Sequence, residues 1–206
     1  MIALSKILSL SLLFFGVFIL MQVVLPIISF WVWEQASKLN SKTLVSPHTQ
    51  VLGVSVENKD NFSYFVSNIK RNLPYTQFRI TIPKLNIEKT DVLVESNDLS
   101  SGLVHLPGTA LPGERGNVFI SGHSALSPII KKAAFAKLSD LKKGDQIEAE
   151  AMGTKFTYQV TELKIISPSD VSVINPPDPL GRFISLMTCV PPGLNLKRLV
   201  VLGKMI

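Results

Sequence analysis

Cysteine is almost absent from this chain, and the residue patterns that bind metals are missing. Cys189 is the only cysteine among 206 residues, and there are only three histidines. A single thiol cannot form an intramolecular disulfide, so no disulfide holds the fold together. No CxxC, HxxxH or HExxH spacing occurs, and the sequence therefore predicts no metal site. The unpaired thiol needs an explanation other than cross-linking or metal binding.

Charge is absent from a long stretch near the amino terminus. No charged residue lies between Ile7 and Trp33, a length of about 27 residues, whereas a membrane-spanning helix needs only about 20. A cleaved signal peptide would have a shorter apolar region and a small-x-small cleavage site, and WVWEQASKL offers no good one. We therefore predict one uncleaved transmembrane anchor in residues 1–33, with residues 7–33 in the membrane. The few flanking charges do not decide its orientation.

Dense clusters of one charge sign are also absent, although the net charge is +6. The lysines are scattered and aromatic residues do not alternate with them, so nucleic-acid binding is not predicted. A solvated, mildly cationic surface is one interpretation of this charge. Attraction to an anionic membrane or cell-wall surface is the other.

Short β-like runs dominate the chain after a polar stretch. Residues 34–75 are predicted to be a juxtamembrane linker with a short helix in NFSYFVSNIKRN, because its apolar residues have helical spacing. In residues 76–206, alternating β-branched runs separated by turn residues predict seven or eight strands. The runs are FRITIPK, IEKTDVLVE, NVFISGH, QIEAEAMGTKFTYQVTELKIIS, FISLMTC and KRLVVLGKM. This all-β pattern with few helices predicts a closed barrel or a sandwich.

Three residues with useful chemistry lie at the ends of predicted strands. Cys189 and His123 each end a strand, and Arg198 begins the last one. Strand ends on one rim of a barrel meet in space, so these side chains are candidates for a nucleophilic site. A nearby cation favours the thiolate, histidine transfers protons, and arginine binds a carbonyl or an oxyanion. Gly122 is predicted to leave room for a substrate backbone. Taken singly, each of the three has a structural alternative: a buried thiol, a structural histidine and a surface charge.

The local sequences around these residues resemble a known family. FISGHSA and SLMTCVPPGLNLKRLVV resemble the two signature regions of the sortases, membrane-anchored cysteine transpeptidases of bacterial surfaces. IPKLNIEKTDVLV and GLVHLPGTALPGERGNV also resemble the sortase core, so the resemblance covers roughly residues 78–204 in family order. It implies an eight-stranded β-barrel and places His123, Cys189 and Arg198 at the catalytic positions. CVPPG and HLPGTALPGE resemble the class D and class E groups more than class B.

Some residues of these motifs depart from the family pattern. Ser185 stands where the family usually has the threonine that begins the cysteine motif, and Ser124 stands where many relatives have arginine. Thr188 matches the family. Ser185, Thr188 and Ser124 are therefore candidates for positioning the substrate. The lid motif of pilus-building sortases, an aspartate beside an aromatic residue, is not evident in residues 34–77.

The resemblance also implies a reaction. The Cys189 thiolate would attack the threonine carbonyl of an LPxTG-like or LAxTG-like signal at the carboxyl terminus of a surface protein. Cleavage between threonine and glycine would leave a thioacyl enzyme, which passes the protein to an amine of a peptidoglycan precursor. No cofactor is expected. Two alternatives stay open: a membrane-tethered β-barrel binding module without catalysis, and a hydrolase that uses the same thioester to release surface proteins.

The implied substrate also decides the expected topology. A sorting signal and its acceptor are extracytoplasmic, so we expect a single-pass protein of the bacterial cell membrane with a cytoplasmic amino terminus and an external catalytic domain. Within the domain, LPGTA at residues 106–110 imitates a sorting signal but lacks the apolar segment and basic tail that follow real ones. We predict an ordinary turn there, with His105 hydrogen-bonded within the loop.

Overall fold

The computed structural model describes part of the amino-terminal region and nearly all of the β-rich region. The described residues are 12–22, 24–25, 28, 31–32, 54–59, 62–67, 72–124 and 134–206. The chain divides into two compact units, Met1–Lys42 and Thr43–Ile206. In the first unit, residues 12–22 are helical and exposed. Within the described part of the chain, no helix has both the length and the apolar content needed to cross a membrane. The predicted anchor lies partly outside the described residues.

A two-stranded antiparallel hairpin begins the described part of the second unit. It pairs β1 (Val54–Lys59) with β2 (Phe62–Ser67). The short helix that we predicted in NFSYFVSNIKRN is therefore wrong over β2. The aromatic and β-branched residues of FSYFVS favour an extended backbone, and VSVENK provides a facing strand. Helical spacing of three apolar residues carries no information about such a partner strand.

Eight further strands close into a barrel. They are β3 (Gln77–Ile82), β4 (Ile87–Leu93), β5 (Leu103–His105), β6 (Gly116–Ser121), β7 (Gln146–Ala151), β8 (Thr154–Ile166), β9 (Arg182–Val190) and β10 (Lys197–Met205). Their order around the barrel is β10-β8-β7-β3-β4-β5-β6-β9, and β9 closes it by pairing with β10. The closed eight-stranded barrel is therefore confirmed, and the sandwich is excluded. The pairs β4–β5 and β6–β9 are parallel, and the other pairs are antiparallel.

Alternation along the strands fills the interior of the barrel. Successive side chains of a strand point to opposite faces, so every second residue enters the core. Burying each large apolar side chain stabilises the fold by about 1.5–3 kcal/mol. Side chains that are almost fully buried include Ile80, Ile82, Val118, Ile120, Ile147, Tyr158, Ile184, Leu186, Leu199 and Val201. Short 3-10 turns connect some of the strands, at Pro83–Leu85, Leu99–Ser101, Leu138–Asp140 and Ser172–Ile174.

A second, smaller core lies on the outer face of β6 and β9. Leu106, Phe119 and Ile174 form a buried cluster there, and Met187 packs against it. The Asn117 amide donates hydrogen bonds of 3.1 Å to two carbonyls of the β8–β9 loop, which holds that loop over the strands. The two strands that lead to His123 and Cys189 are thus supported on both faces.

Candidate active site

Cys189 and Arg198 are direct partners across two antiparallel strands. Cys189 is the second-last residue of β9, Arg198 is the second residue of β10, and the register pairs them. Directly opposed residues of an antiparallel pair have Cβ atoms about 4.5–5.5 Å apart and side chains on the same face. A short loop separates the two residues in sequence, and the strand pairing therefore places the thiol beside the guanidinium.

His123 reaches the same rim from the other side of β9. Strands β6 and β9 run parallel, and their ladder ends at the pair Ser121 and Met187. Two further bonds extend the contact: the Gly122 amide donates to the Met187 carbonyl at 3.1 Å, and the Thr188 hydroxyl donates to the Gly122 carbonyl at 2.8 Å. Because these bonds continue the parallel register beyond Ser121 and Met187, His123 lies beside Cys189. The three predicted catalytic residues thus lie at one end of three neighbouring strands: His123 just after β6, Cys189 near the end of β9 and Arg198 near the start of β10.

Burial and charge act on the thiol in opposite directions. Burial raises the pKa of the Cys189 thiol, and the positive charge of Arg198 offsets part of that rise. Arg198 therefore favours the thiolate, as a neighbouring cation should. The half-buried thiol is reachable from solvent but is not a core residue, which disfavours the structural alternative for this cysteine.

A capped turn contributes to the electrostatic environment of the His123 imidazole. Burial lowers the pKa of His123, and a hydrogen bond to the backbone of Leu99 acts in the opposite direction. Leu99 begins the 3-10 turn Leu99–Ser101, which the Asp98 carboxylate caps by accepting bonds from the Ser100 amide and hydroxyl at 3.0 and 2.6 Å. Sequence reasoning missed this contact because a backbone carbonyl has no residue-type signature. The one sequence signal for this turn is the D-x-S pattern of Asp98 and Ser100, which is typical of a capped turn.

The three predicted positioning residues are all buried. Thr188 is 4% exposed and Ser124 is 6% exposed, while Ser185 is fully buried. Thr188 joins β9 to the backbone just before His123. The Ser185 and Ser121 hydroxyls have no hydrogen-bond partner among the described residues. Strand alternation places Ser185 on the same face of β9 as Met187 and Cys189.

Replacing Thr188 with valine is expected to lower the free energy of unfolding by about 1–3 kcal/mol, because the buried Gly122 carbonyl loses its hydroxyl donor without a change in shape. The kcat/KM should fall as well, since Gly122 directly precedes His123 and a shift of its backbone would displace the imidazole. Urea denaturation and a kinetic assay measure the two effects. Thr188→Ser keeps the hydroxyl and is the matched control. A valine variant as stable and as active as wild type would contradict this role.

Gly122 has a different role from the predicted one. A Cβ built on Gly122 would lie 2.5 Å from Leu103 and 2.8 Å from Phe135, both of which are core side chains. The missing side chain therefore makes room for the barrel core, and the prediction that it makes room for a substrate backbone is wrong. A glycine before a predicted catalytic residue does not tell, from sequence alone, on which side of the backbone it leaves space.

The turn predicted at LPGTA is confirmed. The Thr109 amide and hydroxyl both donate to the Leu106 carbonyl, at 3.3 and 2.8 Å. The fully buried His105 ring contacts this turn through its Nε2 atom, 2.9 Å from both the Ala110 carbonyl and the Thr109 hydroxyl. His105 is therefore hydrogen-bonded within the loop, as predicted. No group of three or more metal-ligating side chains occurs in the described part of the chain.

Comparison with known proteins places this geometry in a family. The family model described as Sortase domain matches residues 80–206. Sortase D of Bacillus subtilis (strain 168) is 31% identical over 129 residues, which cover 61% of this chain and 61% of that protein. The chain thus matches less than two thirds of the length of this curated relative.

Solved structures agree with the sequence match. The lid mutant of sortase A from Corynebacterium diphtheriae is 30% identical, has a TM-score of 0.58, and covers 64% of this chain and 70% of that one. A sortase D5 transpeptidase of Clostridium perfringens is 27% identical, has a TM-score of 0.55, and covers 64% of this chain and 79% of that one. The barrel therefore has counterparts in solved folds of similar sequence.

Proposed function

Because the chain belongs to the sortase family, we propose that it is a cysteine transpeptidase that cleaves an LPxTG-like or LAxTG-like sorting signal between threonine and glycine. The observation that carries this proposal is the cross-strand pair of Cys189 with Arg198, with His123 two residues beyond the end of the neighbouring strand β6. A nucleophile, a fixed cation and a proton donor on one rim are the parts that acyl transfer through a thioester requires. A binding module would need none of them in this arrangement.

Formation of the acyl-enzyme uses all three side chains. The Cys189 thiolate, stabilised by Arg198, attacks the threonine carbonyl carbon and forms a C–S bond. The carbonyl oxygen becomes an oxyanion, which accepts hydrogen bonds from the guanidinium of Arg198. As the C–N bond to glycine breaks, the His123 imidazolium gives its proton to the leaving nitrogen. The products are a thioester on Cys189 and a free amino group on the released peptide.

Transfer reverses these steps with a new nucleophile. An acceptor amine attacks the thioester carbonyl and loses a proton to the neutral imidazole of His123. The C–S bond then breaks, and Cys189 leaves as a thiolate beside Arg198. The product is an amide that joins the surface protein to the acceptor, for which we propose a peptidoglycan precursor. Each step uses groups of this chain, so no cofactor enters the mechanism.

We place the sorting signal along the outer face of β9, where Met187 lies two residues before Cys189. Val173 and Met187, the partly exposed apolar residues that pack on the buried cluster of Leu106, Phe119 and Ile174, support this path for an apolar signal. Ser185 and Ser124, being buried, would position the substrate from beneath the surface, and Thr188 would do so through Gly122. The similarity to the B. subtilis sortase D and the C. perfringens sortase D5 supports a class D assignment. Class E is the alternative, because the CVPPG and HLPGTALPGE motifs resemble both classes.

We also propose a membrane anchor in residues 7–33. The uncharged run from Ile7 to Trp33 and the helical backbone at residues 12–22 support it. A sorting signal and a cell-wall acceptor are extracytoplasmic, so the barrel would lie outside a bacterial cell membrane and the amino terminus inside. Surface proteins with a carboxyl-terminal sorting signal would be the partners.

A peptide assay tests the proposal. The full chain in detergent is incubated with signal peptides that differ at the second position, with and without an amine acceptor, and products are identified by mass spectrometry. We expect cleavage between threonine and glycine and a ligated product that depends on the acceptor. No cleavage of any peptide, or equal cleavage by Cys189→Ala, would refute the enzyme. Cleavage without ligation at any acceptor concentration would instead identify a hydrolase.

A further inference from the structure

The β9–β10 loop contacts the guanidinium of Arg198 directly. The Nη1 atom of Arg198 donates to the Asn195 carbonyl at 3.1 Å and to the Lys197 carbonyl at 3.2 Å. A guanidinium has five N–H donors in a fixed planar fork. Since the Asn195 carbonyl of the loop and the Lys197 carbonyl at the start of β10 both accept from Nη1, they set the plane and the rotation of the whole group.

The donors that remain are those the proposed reaction needs. The Nη2 and Nε atoms of Arg198 have no hydrogen-bond partner among the described residues. Two corners of the fork are thus available to a substrate carbonyl or an oxyanion, while the third corner is fixed by the loop. A charged group whose orientation is set in advance stabilises a transition state at little reorganisation cost.

Two backbone features of the loop determine where the Asn195 carbonyl lies. The Leu194 amide donates to the Pro191 carbonyl at 3.1 Å, and Gly193 has a φ of +82°. With Pro192 at the second position and glycine at the third, this is the pattern of a type II turn. Asn195 then adopts a left-handed φ of +53°, which turns the chain towards β10. Asparagine tolerates this region better than β-branched residues do.

We propose that Asn195 is a positioning residue for Arg198: its left-handed backbone directs its own carbonyl to the guanidinium and so orients the free donors towards the substrate of Cys189. The side chain of Asn195 is exposed, so the backbone conformation, and not the amide side chain, performs this role. This inference rests on the proposed catalytic function of Arg198.

Two substitutions of Asn195 separate the effect of its backbone conformation from that of its side chain. Asn195→Val disfavours the left-handed conformation, and Asn195→Gly allows it without any side chain. We expect Asn195→Val to lower kcat/KM on the order of ten- to a hundredfold, mainly through kcat, because a small misplacement of a catalytic group has such effects. Asn195→Gly should restore kcat/KM to within about threefold of wild type. Both variants should melt near the wild-type temperature, since the residue is exposed.

A second readout distinguishes orientation from general damage. The rate of Cys189 alkylation by iodoacetamide is measured against pH, because Arg198 favours the thiolate. The midpoint should move to higher pH in Asn195→Val and return in Asn195→Gly. At the preceding turn, Gly193→Val and Gly193→Asn form a parallel pair, since asparagine tolerates that turn position. This pair decides the matter if Asn195→Val does not fold.

The outcomes separate this inference from the proposed function. If Arg198→Ala is inactive while Asn195→Val and Gly193→Val match wild type, the positioning role is refuted and the function stands. If Asn195→Gly loses as much activity as Asn195→Val, the side chain acts and the backbone role is also refuted. If Arg198→Ala remains fully active, the proposed catalytic function of Arg198 itself fails.

Discussion

Replacing Arg198 with lysine is expected to lower kcat/KM by about 10²–10³-fold, the effect of losing one oxyanion donor. Lysine keeps the positive charge but has a single nitrogen on a flexible stem. It cannot bond the Asn195 and Lys197 carbonyls and the substrate oxyanion in the same geometry, as the fork of Arg198 can. The loss should appear mainly in kcat, because the developing charge exists only in the transition state.

A charge-only role of Arg198 makes a different prediction. If charge alone sufficed, Arg198→Lys would be nearly as active as wild type and only Arg198→Gln would be impaired. Alkylation separates the two effects: the pH midpoint of Cys189 should change little in the lysine variant and rise in the glutamine variant. Arg79→Lys is the matched control, because Arg79 lies on β3, which neighbours neither β9 nor β10, and its guanidinium pairs with Glu150 of β7 at 3.0 Å; this variant should retain full activity.

Local sequence pattern predicted the barrel because its strands carry their own signal. Strands β3 and β7 alternate buried residues with exposed or partly exposed ones, and the turn within MGT separates β7 from β8. The helix predicted over β2 is wrong because this strand is stabilised by its pairing with β1. Pairing is non-local, so three apolar residues at helical spacing could not reveal it.

The candidate site was predictable to the level of residue type and strand end. The pairing of Cys189 with Arg198 depends on the register of β9 and β10, which the sequence does not state. The contact of His123 with Leu99 and that of Arg198 with Asn195 both use backbone carbonyls, which every residue has. Asn195 in a left-handed conformation has no unique pattern either. Sequence therefore predicts the groups that we propose to react, while the backbone groups that contact them become visible only in the fold.

Replacing His123 with glutamine is expected to lower kcat/KM by about 10²–10⁴-fold while leaving the alkylation midpoint of Cys189 nearly unchanged. Burial lowers the pKa of His123 and raises the pKa of Cys189. Between these two pKa values the imidazole is already neutral and the thiol is not yet ionised. The reactive pair of imidazolium and thiolate is then a minor form at every pH, and glutamine removes no charge that the resting thiol experiences.

The same ordering fixes the pH dependence of the wild-type enzyme. Below the pKa of His123, further acid only removes the thiolate, so kcat/KM falls. Above the pKa of Cys189, further base only removes the imidazolium, so kcat/KM falls again. The profile should therefore be a broad bell, with its acidic limb set by His123 and its alkaline limb by Cys189. His48→Gln, which changes a histidine of the predicted linker, is the control and should leave the profile unchanged. A wild-type alkylation midpoint on the acidic limb that rises in His123→Gln would show instead that imidazolium and thiolate form a stable ion pair before substrate binds.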